Sequence, residues 1–249
     1  MNKSGLLLCA KYAASPNFFG YCGPNLNSSL TDYIVEKIAD QELEVILSDF
    51  ETLFPYLNLI AKKNNINDPF DVRVVEAYWI GNSFLKPVTS LEYAAFAKEK
   101  LLLDKKIDLE NFGRLKFKIS QEQFFPHHNF HVFNIFRRTG KDFSFQTVST
   151  MDSCRISFGE VVGLEYEKGR VKRLKVETKP LIVINNQLTL DKPKIKLIKI
   201  DYYGKPLLTH FQKGDWISFH WDFLCDKLTL NQVKNLDYYT KKAIDFYNL

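Results

Sequence analysis

The chain has 249 residues, 45% hydrophobic and 25% charged, with a net charge of +5. That is ordinary globular composition: one large or two small domains with a sizeable core, and an anionic partner permitted but not demanded. No stretch approaches the roughly 18 apolar residues of a membrane span, and the apolar run Leu6 to Ala10 is too short for a secretory core.

The first 105 or so residues read as helical. Leu6, Leu7, Ala10 and Ala14 have helical spacing, and FFGYCGPN (Phe18 to Asn25) interrupts it with two Gly and a Pro. Leu30, Tyr33, Ile34 and Ile38 form the next apolar face. A helix is expected over Glu42 to Phe54, and Pro55 can restart one. Asp68-Pro69 reads as cap and first helical position before RVVEAYWIGN, with Asp71 in the first turn. Glu76 is the one acid among apolar neighbours there: a solvent-facing residue, a partner of Arg73, or a ligand. Ser90 is expected to cap the helix that follows.

Composition changes near 107 to 125, where alternation replaces helical spacing. The predicted strands are Phe130 to Phe136, Phe143 to Ser149, Arg155 to Tyr166, Arg170 to Thr178, PLIVIN, Ile195 to Tyr202 and Asp215 to Trp221. Lys168-Gly169 and Asn185-Asn186 are hairpin turns. Short strands with close turns favour a small barrel or meander. Thr229 with Gln232 forms a capping box opening a last helix. The expected fold is α+β: a helical domain over 1–125, then over 126–249 a small antiparallel, OB-like β-barrel closed by a C-terminal helix. The boundary lies near 120 to 140, with a hinge at Arg137 to Lys141 as an alternative.

Four cysteines, Cys9, Cys22, Cys154 and Cys225, are scattered without a CxxC pair, so a zinc ribbon is not expected. They are read as reduced thiols of a cytoplasmic protein. Three of the five histidines, His127, His128 and His131, fall within five residues. On a strand His127 and His131 share one face; on a helix they pair at i, i+4, and either suits one metal ion or a small metalloenzyme. The alternative is a polar stretch at a domain junction. Cys154 and His220 form a second pair, placed by the alternation on two strands: a soft-metal site or a nucleophile with its base, against two ordinary buried groups. From Tyr166 to Lys199 there are ten Lys or Arg against three Asp or Glu. That suits a phosphate-tracking nucleic-acid face, or edge strands kept from aggregating by lysine.

The segments around Cys154 and His220 carry a resemblance. Cys154 is followed by Gly159 and Val161; later come Gly214, Asp215, Trp216, Ile217, Phe219, His220, Phe223, Lys227 and Leu228, and then a capped helix. In order and spacing this resembles the HypC/HupF family of hydrogenase-maturation chaperones, over about 80 residues. It departs in three ways: Cys154 is internal rather than N-terminal, Phe158 stands where the family has proline, and the segment between the motifs is longer. The resemblance implies a HypC-like barrel, and Cys154 as thiolate ligand of an iron carrying cyanide and carbonyl in transit to [NiFe]-hydrogenase. It also implies His220 as second ligand or hydrogen-bond partner, with Asp215 and Asp222 as supporting groups. Over its whole length the chain resembles an uncharacterised prokaryotic family through Tyr21 to Pro24, Asp68 to Asn82 and His127 to Phe133.

The function expected is therefore that of an accessory protein of metalloenzyme assembly, acting by binding rather than turnover. Its partner would be a hydrogenase maturation factor or the hydrogenase large subunit. A nucleic-acid-binding barrel and a histidine-dependent metalloenzyme are the alternatives, and no membrane partner is expected.

Overall fold

Leu6, Cys9, Ala10, Tyr12, Ala13 and Ala14 are all buried, so the first helix is apolar nearly all round and sits inside the molecule. In the computed structural model, which describes residues 2–24, 29–135, 145–202, 204–207 and 210–249, this helix is α1 (Lys3–Phe18). It is followed by α2 (Ser29–Glu36), α3 (Gln41–Ser48), α4 (Leu53–Lys63), α5 (Val72–Trp79), α6 (Ser90–Glu99), α7 (Leu103–Lys106) and α8 (Leu109–Gln121). Then come α9 (His128–Phe130), which runs into a π-helical turn over His131–Ile135, and α10 (Phe145–Cys154). The strands are β1 (Ser157–Glu167), β2 (Arg170–Thr178), β3 (Leu181–Ile184), β4 (Gln187–Leu190), β5 (Lys194–Lys199), β6 (Asp201–Tyr202), β7 (Lys205–Pro206), β8 (Trp216–His220) and β9 (Phe223–Lys227), and α11 (Leu230–Asn248) closes the chain. The fold is α+β, with a helical N-terminal part and a C-terminal sheet. Among the described residues no helix is long and apolar enough to cross a membrane.

Helix starts differ from expectation where side-chain spacing decides. Asp71, not Asp68, caps α5 by accepting from the Arg73 amide; Asp68 instead closes a turn onto the Phe70 amide. Thr89, not Ser90, caps α6, because a capping box needs its acid three residues on and Glu92 stands three from Thr89. The helix expected over Glu42 to Phe54 stops at Ser48 and restarts at Leu53.

Two predicted strands are helical. Residues of Phe130 to Phe136 lie in α9 and the π turn, and Phe145 to Ser149 lie in α10; the remaining positions, and the Arg137 to Lys141 hinge, fall outside the described residues. Short aromatic runs fit both periods. Phe130 and Phe133, like Val148 and Met151, are buried at i, i+3, and burial on a helical face decided between them. Consequently Cys154 ends a helix rather than lying on a strand.

The hairpin turns are as expected: Lys168, Gly169, Asn185 and Asn186 all have positive φ, and β1 pairs antiparallel with β2. Strand order is β1-β2-β5-β9-β8, with β8 also antiparallel to β1; β5 meets β9 through a single parallel pair, Lys199 and Phe223. Val161, Leu174, Val176, Ile198, Ile217 and Phe219 fill the sheet interior. The Thr229–Gln232 capping box opens α11. A larger core runs from Leu6 to Phe246 and unites the helices on both sides of residue 125. In the basic stretch, Lys172, Lys175, Lys194 and Lys196 are ion-paired with Asp201, Glu165, Asp191 and Asp222.

Gly5 lets α1 lie against the loop before α5, since a Cβ there would strike the Phe70 carbonyl oxygen. Gly5→Ala gains about 1 kcal/mol of helix propensity, but overpacking against rigid backbone costs about 1–3 kcal/mol or more. The expected result is a less stable protein in urea unfolding. A stabilised variant would show that the close approach does not constrain α1.

Candidate metal centre

Three separate segments bring His128, Cys154 and His220 together. On β8, alternation turns Ile217 and Phe219 into the sheet interior and puts Ser218 and His220 on the opposite face, towards α1. There Tyr12 holds both: its hydroxyl bonds Ser218 Oγ at 2.8 Å, and its carbonyl accepts from His220 Nδ1 at 2.9 Å. The tight turn after His220 places Trp221 and Asp222 at positive φ, and the Trp221 amide donates to the Ser153 carbonyl at 2.9 Å. That bond ties the end of β8 to the end of α10, and so sets Cys154 beside His220.

The bend between α10 and β1 is pinned by Arg155, 2% exposed, which pairs with Asp152 at 2.9 Å and donates to the Lys179 carbonyl at 2.6 Å. Asn129 then locks α9 to the same place. Its side chain accepts from the Ile156 amide at 2.7 Å and donates to the Ile156 carbonyl at 3.0 Å and to Thr240 at 2.9 Å. His128, one residue earlier, is thereby directed at Cys154, and its Nε2 bonds the Cys154 carbonyl at 2.9 Å.

These partners assign the tautomers. A carbonyl only accepts, so the proton sits on Nδ1 of His220 and on Nε2 of His128. The lone pairs are then His220 Nε2 and His128 Nδ1. The latter faces the Tyr78 hydroxyl at 3.2 Å; the former is buried without a well-formed hydrogen bond, although the Cys154 carbonyl lies close to its ring. An imidazole that donates one N–H to a carbonyl and leaves the other nitrogen bare is oriented as metal-ligating histidines are.

One nitrogen of each imidazole and the Cys154 sulfur all lie within 4.8 Å of one another. A four-coordinate zinc ion holds nitrogen and sulfur donors about 3.3–3.8 Å apart, so the three need draw in by only about 1 Å to share an ion. They face a cavity of about 80 Å³, walled also by Tyr78, Trp79, Val132 and Trp221. Trp79 sets the back of it, its ring 4.6 Å from His128 and 6.0 Å from His220, and stacks on Tyr12 at 5.5 Å. A wider cavity of about 520 Å³ adjoins and shares Tyr21, Cys22, Thr52 and His131 with it.

Burial pushes His220 down to about 4. Burial, then the neighbouring His220, pushes His128 well below its ordinary value. Both rings are neutral at pH 7, the form that coordinates a metal. A thiol with two neutral imidazoles is a borderline-soft donor set suited to Fe²⁺, Co²⁺ or Zn²⁺, and three donors leave a coordination position open.

The other predicted histidines go elsewhere. His127 caps α9 by accepting from the Asn129 amide at 3.1 Å and stacks on Tyr239 at 5.7 Å. His131 accepts from or donates to the Tyr56 hydroxyl at 3.0 Å, which in turn meets Tyr93 at 2.6 Å. The histidine trio is thus divided, and only His128 meets Cys154. Glu76 is half-buried and takes Gln232 at 2.7 Å and Asn82 at 3.3 Å, while Arg73, one of its alternative partners, pairs with Asp71 instead. Asp215 pairs with Lys227 and Asp222 with Lys196, both at 2.7 Å. Tyr12, Tyr78, Trp79 and Asn129 were missed by the sequence reading. Apolar periodicity marks the first three only as core, and the YWIGN and HHNF segments are the one local trace of them.

A family model described as a family of unknown function (DUF6390) matches residues 1–249. No curated protein and no solved structure matches the chain.

Proposed function

We propose that this chain, which belongs to the DUF6390 family of unknown function, is an accessory protein of metalloenzyme assembly that binds a transition metal through Cys154, His128 and His220. The observation that carries this reading is the convergence of one thiol and two neutral, pre-oriented imidazoles on a small cavity. A buried imidazole nitrogen without a well-formed hydrogen bond costs free energy unless something takes its lone pair, and a metal ion does so.

The more specific reading is [NiFe]-hydrogenase maturation, with iron bearing cyanide and carbonyl as cargo and a maturation factor or the large subunit as partner. It is supported by the HypC/HupF resemblance around Cys154 and His220, and by a small sheet of short strands with a helix following the second motif. In this reading the sheet is an OB-like, HypC-like barrel. The internal position of Cys154 rules out a free amine beside it, and His128, from outside both motifs, is the third donor. A thiolate suits low-valent iron, and an open coordination position suits hand-over to a partner.

The test is anaerobic purification from a hydrogenase-producing host, with metal analysis and infrared spectroscopy. The expected result is bound iron with cyanide and carbonyl stretches, lost in Cys154→Ala together with hydrogenase assembly. Iron-free protein whose Cys154→Ala variant still supports assembly would overturn the carrier role.

A further inference from the structure

Cys22 is a second thiol on the same cavity. It lines the chamber with His128, Cys154 and His220, and it also lines the wider cavity beside Asp49, Glu51 and Lys106. It therefore stands where the smaller cavity meets the wider one. The backbone under Cys22 is held: the buried Asn17 side chain donates to the Cys22 carbonyl at 3.1 Å and to the Pro24 carbonyl at 2.8 Å. Gly20 and Gly23 on either side have positive φ, and a Cβ on Gly23 would strike the Phe50 ring.

Cys22 is not one of the three donors that already lie within 4.8 Å of one another. With its backbone pinned, rotation about χ1 carries its sulfur by about 3 Å between staggered positions. An independent mark of a ligand in this chamber is His220 Nε2, fully buried and without a well-formed hydrogen bond.

We propose that Cys22 supplies the fourth ligand, closing a two-sulfur, two-nitrogen set with Cys154, His128 and His220 around a thiophilic divalent cation. This rests on the three-donor metal site above, for an ion that brings no ligands of its own, and adds what retains and releases it. Two thiolates with two imidazoles form a closed tetrahedral set. Cys22, the donor at the mouth, is the last to bind and the first to be exchanged for an incoming donor. The two thiols give up their protons to solvent on binding, and no electron is transferred.

The experiment is titration of the full-length, reduced protein with Co²⁺ under anaerobic conditions, alongside alkylation of the Zn²⁺-loaded protein followed by mass spectrometry. The expected results are tetrahedral cobalt bands with sulfur-to-cobalt absorption of two thiolates, halved in Cys22→Ser, and at least a tenfold slowing of alkylation at both Cys22 and Cys154 by Zn²⁺. Absorption of one thiolate, unchanged in Cys22→Ser, with Cys22 alkylated equally fast with and without Zn²⁺, overturns the fourth-ligand role and leaves the three-donor site standing. Absence of cobalt uptake, or uptake unchanged in Cys154→Ser, overturns the site itself and this inference with it. The alkylation measurement needs no variant, so a folding defect in Cys22→Ser cannot decide the question.

Discussion

Cys154→Ser is expected to weaken Co²⁺ or Zn²⁺ binding by more than about 100-fold, because even partners that only orient a metal ligand are worth about 10–100-fold. A hydroxyl is nearly isosteric with a thiol but a poor ligand at neutral pH, so the metal-free fold should be untouched. His220→Gln and His128→Gln should do the same through the loss of an imidazole lone pair. Thermal unfolding gives a second reading. Metal at about 1,000 times its dissociation constant stabilises the native state by about 4 kcal/mol. For a chain of this length that corresponds to a rise in Tm of about 8–15 °C. At the same metal concentration the rise should fall to about a third or less of the wild-type value in all three variants. Variants that keep affinity within about threefold of wild type would show that the three donors do not share an ion.

Acid should unfold the metal-free protein well above the range in which its carboxylates titrate. The folded values of His127 and His131 lie at about 3 and that of His220 at about 4, all lowered chiefly by burial, against an ordinary value of 6.5. The direction of the effect follows from proton counting. Between those values and 6.5 the unfolded chain binds more protons than the folded one, so stability rises with pH there. It is complete above about 6.5 and is lost as pH falls through 5 towards 4 and 3. At pH 5 each of the three rings costs about 2 kcal/mol, or about 6 kcal/mol together, against the 5–15 kcal/mol that holds a typical domain. His128 acts in the same direction. Among the acids, Glu92 sits at about 2 and Asp71, Asp108, Asp191 and Asp215 lie below their ordinary value, so none of these contributes between pH 5 and 6.5. Urea unfolding at pH 7 and pH 5 measures the difference. A change under about 1 kcal/mol would mean that the rings reach water or protonate in place.

Features whose cause is local were legible in the residues. Lys168-Gly169 and Asn185-Asn186 turn the chain because small or amide side chains tolerate positive φ, and Thr229 with Gln232 caps a helix through contacts three residues apart. The helical first part and the stranded last part follow from apolar periods of 3.6 and 2. Cys154 and His220 were singled out together, and the fold sets them side by side. Where a short aromatic run fitted either period, as at Phe130 to Phe136 and Phe143 to Ser149, only burial chose the helix, of α9 against α5 and α11 and of α10 against β3 and the π turn. That choice carried His128 away from His127 and His131 and towards a cysteine 26 residues on and a histidine 92 residues on. Contacts across such separations depend on how whole elements pack, on Tyr12 beneath β8, Trp79 behind both imidazoles and Asn129 bolting α9 to Ile156, just before β1, and to α11. A one-dimensional pattern records which faces are apolar, but not which face meets which, and the donor set is a property of those meetings.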